Sequence, residues 1–252
     1  MEIGLLLSKS ISEFRLKALN PILQDPGFKV KVAVIDTRPG KPLKQKLIKN
    51  IRRGRGGYIV IMAFEKVFSK KSTTTSVSSY EFCALNGIEI IETNEPYSAT
   101  TIENIKKHNL DVLVLTGGFG IIKQPLLDAT PIGVLSYHHG NMRKYRGMPP
   151  ALWELYNNEK EMGVTVQIIS AGIDNGIPIA EKTIEINKND TVSSLQNRAY
   201  AQSEDMLYTA VKKLSDKDFK FNRIEHFGKI YTLPNLRQWI LLNIKLVARR
   251  LK

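Results

Sequence analysis

An α/β fold, a mainly parallel sheet with helices on both faces, is predicted by three features of this 252-residue chain. Short apolar segments of strand length alternate with stretches of helical periodicity. Those apolar segments are nearly continuous, as in strands buried on both faces. The apolar content, 42%, is enough to build the core of one large domain.

The expected strands are Ile3–Leu7, Val30–Ile35, Ile88–Ile91, Val112–Leu115, Val134–Ser136 and Val164–Ile168. Helical segments fall near Ile11–Leu23, Leu43–Ile51, Ile102–His108 and Ala151–Asn157. Two segments interrupt this alternation. Lys41–Lys71 carries ten basic residues against Glu65 alone, with a glycine break at Gly54–Gly57. Ser69–Ser79 is polar and low in complexity, and reads as a surface loop. After Asp190, apolar residues recur at three- and four-residue spacing, with Thr191 as the N-cap. That helix is expected to close a catalytic domain spanning 1–214.

Residues 215–252 read as a basic helical appendage, with eight basic residues against Glu225 from position 219 onward. The final stretch, LRQWILLNIKLVARRLK, mixes apolar and basic residues. It suits packing on this chain, a homodimer contact, or a membrane surface.

Thirty-seven Lys and Arg against twenty-four Asp and Glu give a net charge of +13. An anionic partner follows: a phosphorylated metabolite, a nucleotide, nucleic acid or an acidic membrane. The only cysteine, Cys83, cannot form an internal disulfide, so a reduced, cytoplasmic setting is expected. The N-terminal apolar run is too short for a signal peptide, and no segment reaches membrane-span length. No metal-ligand spacing, Walker motif, GxSxG or HExxH is present, so no metal is expected.

The residues able to do chemistry cluster between Gly133 and Ile179. His138 follows the strand GVLSY, where a side chain projects from the carboxyl edge of the sheet and can donate a hydrogen bond or move a proton. The alternative is a histidine that caps a strand or bonds a nearby carbonyl. His139 is expected to point elsewhere, because strand neighbours alternate faces. Asp174, in AGIDNG, fits turn chemistry or a buried carboxylate in need of a partner. The loop GNMRKYRGMPP supplies Gly140 and Gly147 for close backbone approach and Arg143, Lys144 and Arg146 for anions. Trp153 is expected in the core. TGGFG, Thr116 to Gly120, is a glycine-rich turn at a strand end whose backbone could bind a ligand.

In order and spacing, YRG, Pro150, Trp153, Asn158, GVT (Gly163–Thr165), Asp174 and Gly176 resemble the formyltetrahydrofolate-dependent formyltransferases. That family includes glycinamide ribonucleotide, methionyl-tRNA and amino-sugar N-formyltransferases. The resemblance spans Leu110 to Ile179 and implies a Rossmann-like sheet with folate near the strand ends. It also implies a catalytic trio of asparagine, histidine and aspartate, aligned on Ser136, His138 and Asp174. Ser136 is the departure, since a hydroxyl stands where the family carries an amide. An amine would attack the formyl carbon of 10-formyltetrahydrofolate, His138 would stabilise the oxyanion, and Asp174 would orient His138 and assist proton movement. The pterin would meet Thr116, Gly117, Gly118, Phe119, Gly120 and Ile121 on one side and Ala171, Gly172 and Ile173 on the other. Arg143, Lys144, Tyr145, Arg146 and Gly147 would face the acceptor.

The expected acceptor is a small phosphorylated or nucleotide-linked amine, an amino-sugar nucleotide first. The short tail argues against tRNA, and nucleic acid is not the expected partner. A formyltetrahydrofolate hydrolase and a non-catalytic basic binding protein of the same fold stay open.

Overall fold

A computed structural model describes residues 1–40, 42, 45, 48, 51, 52 and 76–251. The central sheet has seven strands: β1 (Glu2–Leu7), β3 (Lys29–Asp36), β5 (Glu89–Thr93), β6 (Val112–Leu115), β7 (Val134–His138), β9 (Glu161–Ile168) and β10 (Ile177–Glu185). Their spatial order is β10-β9-β7-β6-β1-β3-β5. Five of them, from β5 to β7, run parallel; β9 is antiparallel to β7, and β10 to β9.

Every predicted strand is present, because most are rich in β-branched and leucine side chains buried on both faces, while the edge strand β5 half-buries Ile90 and Ile91 against the two core clusters. Along β1, Leu5 and Leu7 enter one core cluster and Leu6 enters the other. Val112 and Val114 share the first cluster, while Leu113 shares the second. This period of two stacks a layer on each side of the sheet.

The edge strand β10 was not expected. Its sequence, IPIAEKTIE, mixes charge with apolar residues because one face of an antiparallel edge strand meets water. Pro178 sits where the β9–β10 register shifts, a place where a missing N–H breaks no ladder.

Helix α1 (Glu13–Gln24) begins two residues later than expected, because Ser10–Ser12 forms β2, paired with β4 (Ser76–Ser78). The end of the predicted Ser69–Ser79 loop is therefore ordered: β4 leads into α2 (Ser79–Leu85), and the Ser79 hydroxyl donates to the Ser8 carbonyl. The predicted helix Leu43–Ile51 and the basic run Lys41–Lys71 lie outside the described residues, apart from isolated positions. Helices α3 (Ala99–Lys106) and α4 (Leu152–Tyr156) match the two remaining expectations.

The predicted helix after Thr191 is two helices, α5 (Val192–Gln202) and α6 (Met206–Ser215). Thr191 caps the first in a reciprocal capping box with Ser194. The break between them is held by Tyr137 of β7. Its phenol donates to the Ser203 carbonyl at 2.7 Å and accepts from the Leu207 amide at 3.0 Å. A group on the sheet thus satisfies the backbone that the interrupted helix leaves free. Tyr137 and His139 stack on one side of β7, against Phe14 and Tyr200. Burial holds that His139 imidazole neutral, pushed down to about 3.

The tail is integrated into the body. β11 (Lys229–Tyr231) pairs in parallel with β8 (Tyr145–Gly147). The Trp153 indole N–H donates to the Thr232 carbonyl at 3.0 Å, and Trp153 is buried as expected. Helix α7 (Leu236–Arg250) opens with a capping box of Asn235 and Gln238, and buries Leu242 and Leu246 in the main core. Its Ile240, Ile244 and Val247 remain exposed. Among the described residues, no helix is long and apolar enough to cross a membrane.

One buried carboxyl makes the core sensitive to pH. Glu154 of α4 is 2% exposed. Burial pushes its carboxyl up to about 7 from an ordinary 4.5. The folded chain therefore keeps a proton that the unfolded chain releases first, so stability is greatest below the unfolded value and declines as pH rises through the folded one. Glu154→Gln is expected to match wild type near pH 4 and to exceed it by about 3 kcal/mol near pH 8. Urea unfolding across that range checks this.

Candidate active site

Three segments that diverge in sequence meet at one carboxylate. β7 delivers His138 at its carboxyl end. β8 follows seven residues later and delivers the backbone of Tyr145–Gly147. β9 runs antiparallel to β7, so Asp174 does not project from a parallel strand end; the loop after Ile168 turns back and carries it to the imidazole.

Asp174 occupies left-handed backbone, φ 43°, which aspartate tolerates better than most side chains. One carboxylate oxygen, Oδ2, lies 3.3 Å from His138 Nδ1 and accepts from the Gly147 amide at 2.7 Å. The other, Oδ1, accepts from Gln167 Nε2 at 3.2 Å. A largely buried carboxylate needs such donors to offset its lost hydration.

His138 is 7% exposed. Its Nε2 lies 2.8 Å from the Tyr145 carbonyl oxygen, so each ring nitrogen faces an acceptor. Gly140 makes room for the ring: a Cβ there would lie 2.5 Å from Nε2. Gly147 is required twice over. Its φ is +86°, and a Cβ would lie 2.2 Å from the Tyr231 carbonyl oxygen across the β8–β11 pair.

Beside this cluster lies a cavity of about 410 Å³. Leu115, Ile121, Ile122, Ile169 and Ile173 give it apolar walls, and Ile230 and Leu233 of the tail line it as well. Its polar side chains include Ser136, Gln167, Asp174 and Thr232. An apolar hollow with a few convergent polar groups is the usual form of a small-molecule site. His138 does not line it; that imidazole lies behind Asp174, next to a small space shared with His139 and Glu154.

The predicted residues divide clearly. Ser136, Gly120, Ile121, Gly172, Ile173, Gly147 and Asp174 line the cavity. Thr116, Gly117, Gly118, Phe119 and Ala171 do not. The Thr116 hydroxyl donates to the Leu6 carbonyl, and Phe119 is buried in the second core cluster. Gly117 and Gly118 pack against Ser8. Arg143 pairs with Glu181, and Lys144 with Glu159. The Tyr145 hydroxyl bonds Glu159 as well, while Arg146 donates to the Gly228 carbonyl and lies over Phe227. These four side chains meet partners within the chain rather than the cavity.

Gln167 and the 230–233 segment were not expected here. The only sequence signal for Gln167 is a lone amide in a strand otherwise rich in apolar residues. The tail residues gave none, since their approach depends on β8 pairing with β11. Among the described residues, no cluster of three or more His, Cys, Asp or Glu side chains is placed to hold a metal ion.

Gly147→Ala is expected to disrupt the β8–β11 pair and to cost about 2 kcal/mol or more through the contact and the left-handed strain together. A melting point lowered by several degrees is the readout.

Comparison with known proteins places these features in context. Residues 30–211 match the family model described as Formyl transferase. A methionyl-tRNA formyltransferase of Acetivibrio thermocellus is 27% identical over 204 residues, which cover 81% of this chain and 57% of that protein. The chain spans about half the length of the curated relatives it matches. Among solved structures, a sugar N-formyltransferase from Shewanella sp. FDAARGOS_354 superposes with a TM-score of 0.61 at 14% identity, covering 98% of this chain and 87% of that one. An N-formyltransferase from Helicobacter canadensis, complexed with folinic acid and dTDP-3-aminofucose, gives 0.57 at 16% identity, covering 97% and 79%. The family match over most of the chain, on a fold shared with such enzymes, shows that this protein belongs to the formyl transferase family.

Proposed function

We propose that the chain transfers a formyl group from 10-formyltetrahydrofolate to an amine, with an amino-sugar nucleotide as the foremost acceptor. The observation that carries this reading is the Asp174–His138 pair, 3.3 Å apart, at the edge of the 410 Å³ apolar cavity. A flat pteridine suits walls of isoleucine and leucine, with backbone from the 120–122 and 172–174 segments along its rim.

The acceptor nitrogen attacks the formyl carbon and its lone pair forms the new C–N bond. The carbonyl oxygen takes up negative charge. The bond to the folate nitrogen N10 then breaks, its electron pair leaves with that nitrogen, and the nitrogen is protonated. Asp174 is the carboxylate in the cavity positioned to receive the proton from the attacking amine. His138 Nδ1 beside it orients the carboxylate and shares the charge. The Gly147 amide fixes the same oxygen, Oδ2, from the other direction.

The amino-sugar reading draws on the Helicobacter canadensis enzyme, which holds a nucleotide-linked amino sugar on a similar fold. A tRNA acceptor is the second reading, favoured by the names of the sequence relatives. The exposed stripe Ile240, Ile244 and Val247 on α7 is the surface where a second copy or a membrane would meet the chain.

Formyl transfer to a panel of nucleotide-linked amino sugars and to methionyl-tRNA tests the acceptor, and formate release without any amine tests hydrolysis. His138→Ala and Asp174→Ala are each expected to lower turnover about a hundred- to ten-thousand-fold. Full turnover by either variant would remove that residue from the mechanism.

A further inference from the structure

Oxyanion stabilisation calls for a hydrogen-bond donor aimed into the cavity, and the two residues expected to supply it are poorly placed. His138 Nε2 already faces the Tyr145 carbonyl, away from the cavity lining. The Ser136 hydroxyl reaches the lining but is short, and its recorded bond is a long 3.4 Å contact to the Tyr137 carbonyl.

We infer that Gln167 is the side-chain donor that binds the formyl oxygen as it becomes an oxyanion. This inference rests on the formyl-transfer reading of the same site.

Gln167 lies on β9 directly across from Ser136 on β7. Opposed Cβ atoms in such a pair are about 5 Å apart, so the longer side chain extends over the shorter one. Gln167 is 3% exposed and is part of the cavity lining. Among the described residues lining that cavity, it is the only one whose side chain carries an N–H.

The orientation of the amide follows from its partners. The Gly176 backbone N–H lies 3.0 Å from Oε1. A backbone amide can only donate, so the atom facing it must be the carbonyl oxygen. The NH2 end is thereby turned toward Asp174. One of its protons goes to Asp174 Oδ1 at 3.2 Å. Among the described residues that nitrogen makes no other hydrogen bond, which leaves its second proton for a ligand oxygen.

The chemistry agrees with the placement. Burying an amide costs about 1–3 kcal/mol unless its groups are bonded, and packing alone would favour valine or isoleucine. The bond to Asp174 also aligns donor and base on one reaction centre: the carboxylate receives the amine proton while the amide meets the oxygen. The family resemblance implies an amide at position 136; here the amide stands on the neighbouring strand, facing the same space.

The test pairs kinetics with a spectroscopic readout that needs no turnover. Gln167→Met keeps length and volume and removes both N–H groups. It is expected to lower kcat about a hundred- to a thousand-fold, with the folate KM little changed. In parallel, 10-formyl-5,8-dideazafolate carrying carbon-13 in its formyl group is bound without an amine, and its carbonyl stretch is recorded by infrared difference spectroscopy. A hydrogen bond lowers that frequency in wild type, and Gln167→Met should raise it toward the free value. A wild-type frequency equal to that of free analogue overturns the inference whether or not the variant folds. So does a variant whose kcat falls while the carbonyl frequency stays put, since Gln167 would then act only by positioning Asp174. Wild type that binds no analogue overturns the formyl-transfer reading, and this inference with it.

Discussion

A single carboxylate holds this site together. Asp174 is tied to the end of β7 through His138, to β8 through the Gly147 amide, and to β9 through Gln167. A partly buried carboxylate needs donors to replace its lost hydration, and the three segments supply them at a common point. The left-handed backbone of Asp174 and the glycines at 140 and 147 are the local conditions that let the donors approach.

The same constraint explains the arrangement around the cavity. Gly147 faces Asp174 through its N–H, and it sits across from Tyr231 in the β8–β11 pair. The pair therefore couples the carboxylate to the segment whose Ile230 and Leu233 line the cavity. On the other side of β7, Tyr137 anchors the break between α5 and α6. One strand thus serves chemistry with His138 and scaffolding with Tyr137 and His139, because adjacent side chains leave it on opposite faces.

Much of the fold was legible in the primary structure. The parallel strands announce themselves because burial on both faces demands continuous apolar runs such as VLVL at 112–115. β10 was hidden because its outer face is charged. The break after Gln202 was hidden because a phenol seventy residues upstream in sequence supports it. At the site, His138 and Asp174 stood out as polar groups at strand ends. The basic residues of the 143–146 segment stood out equally, yet they pair with Glu181, Glu159, the Gly228 carbonyl and Phe227, partners that sequence order does not bring together.

The sequence by itself determined the α/β class, six strands of the central sheet, the capped helix start after Asp190, and the family to which the chain belongs, since periodicity, capping residues and motif spacing are local and additive along the chain. Only the tertiary structure decided that β9 turns antiparallel, that residues of the tail line the cavity, and that Gln167 rather than His138 is part of that lining. Those outcomes depend on which partner satisfies each buried polar group, and the partners come from distant parts of the chain.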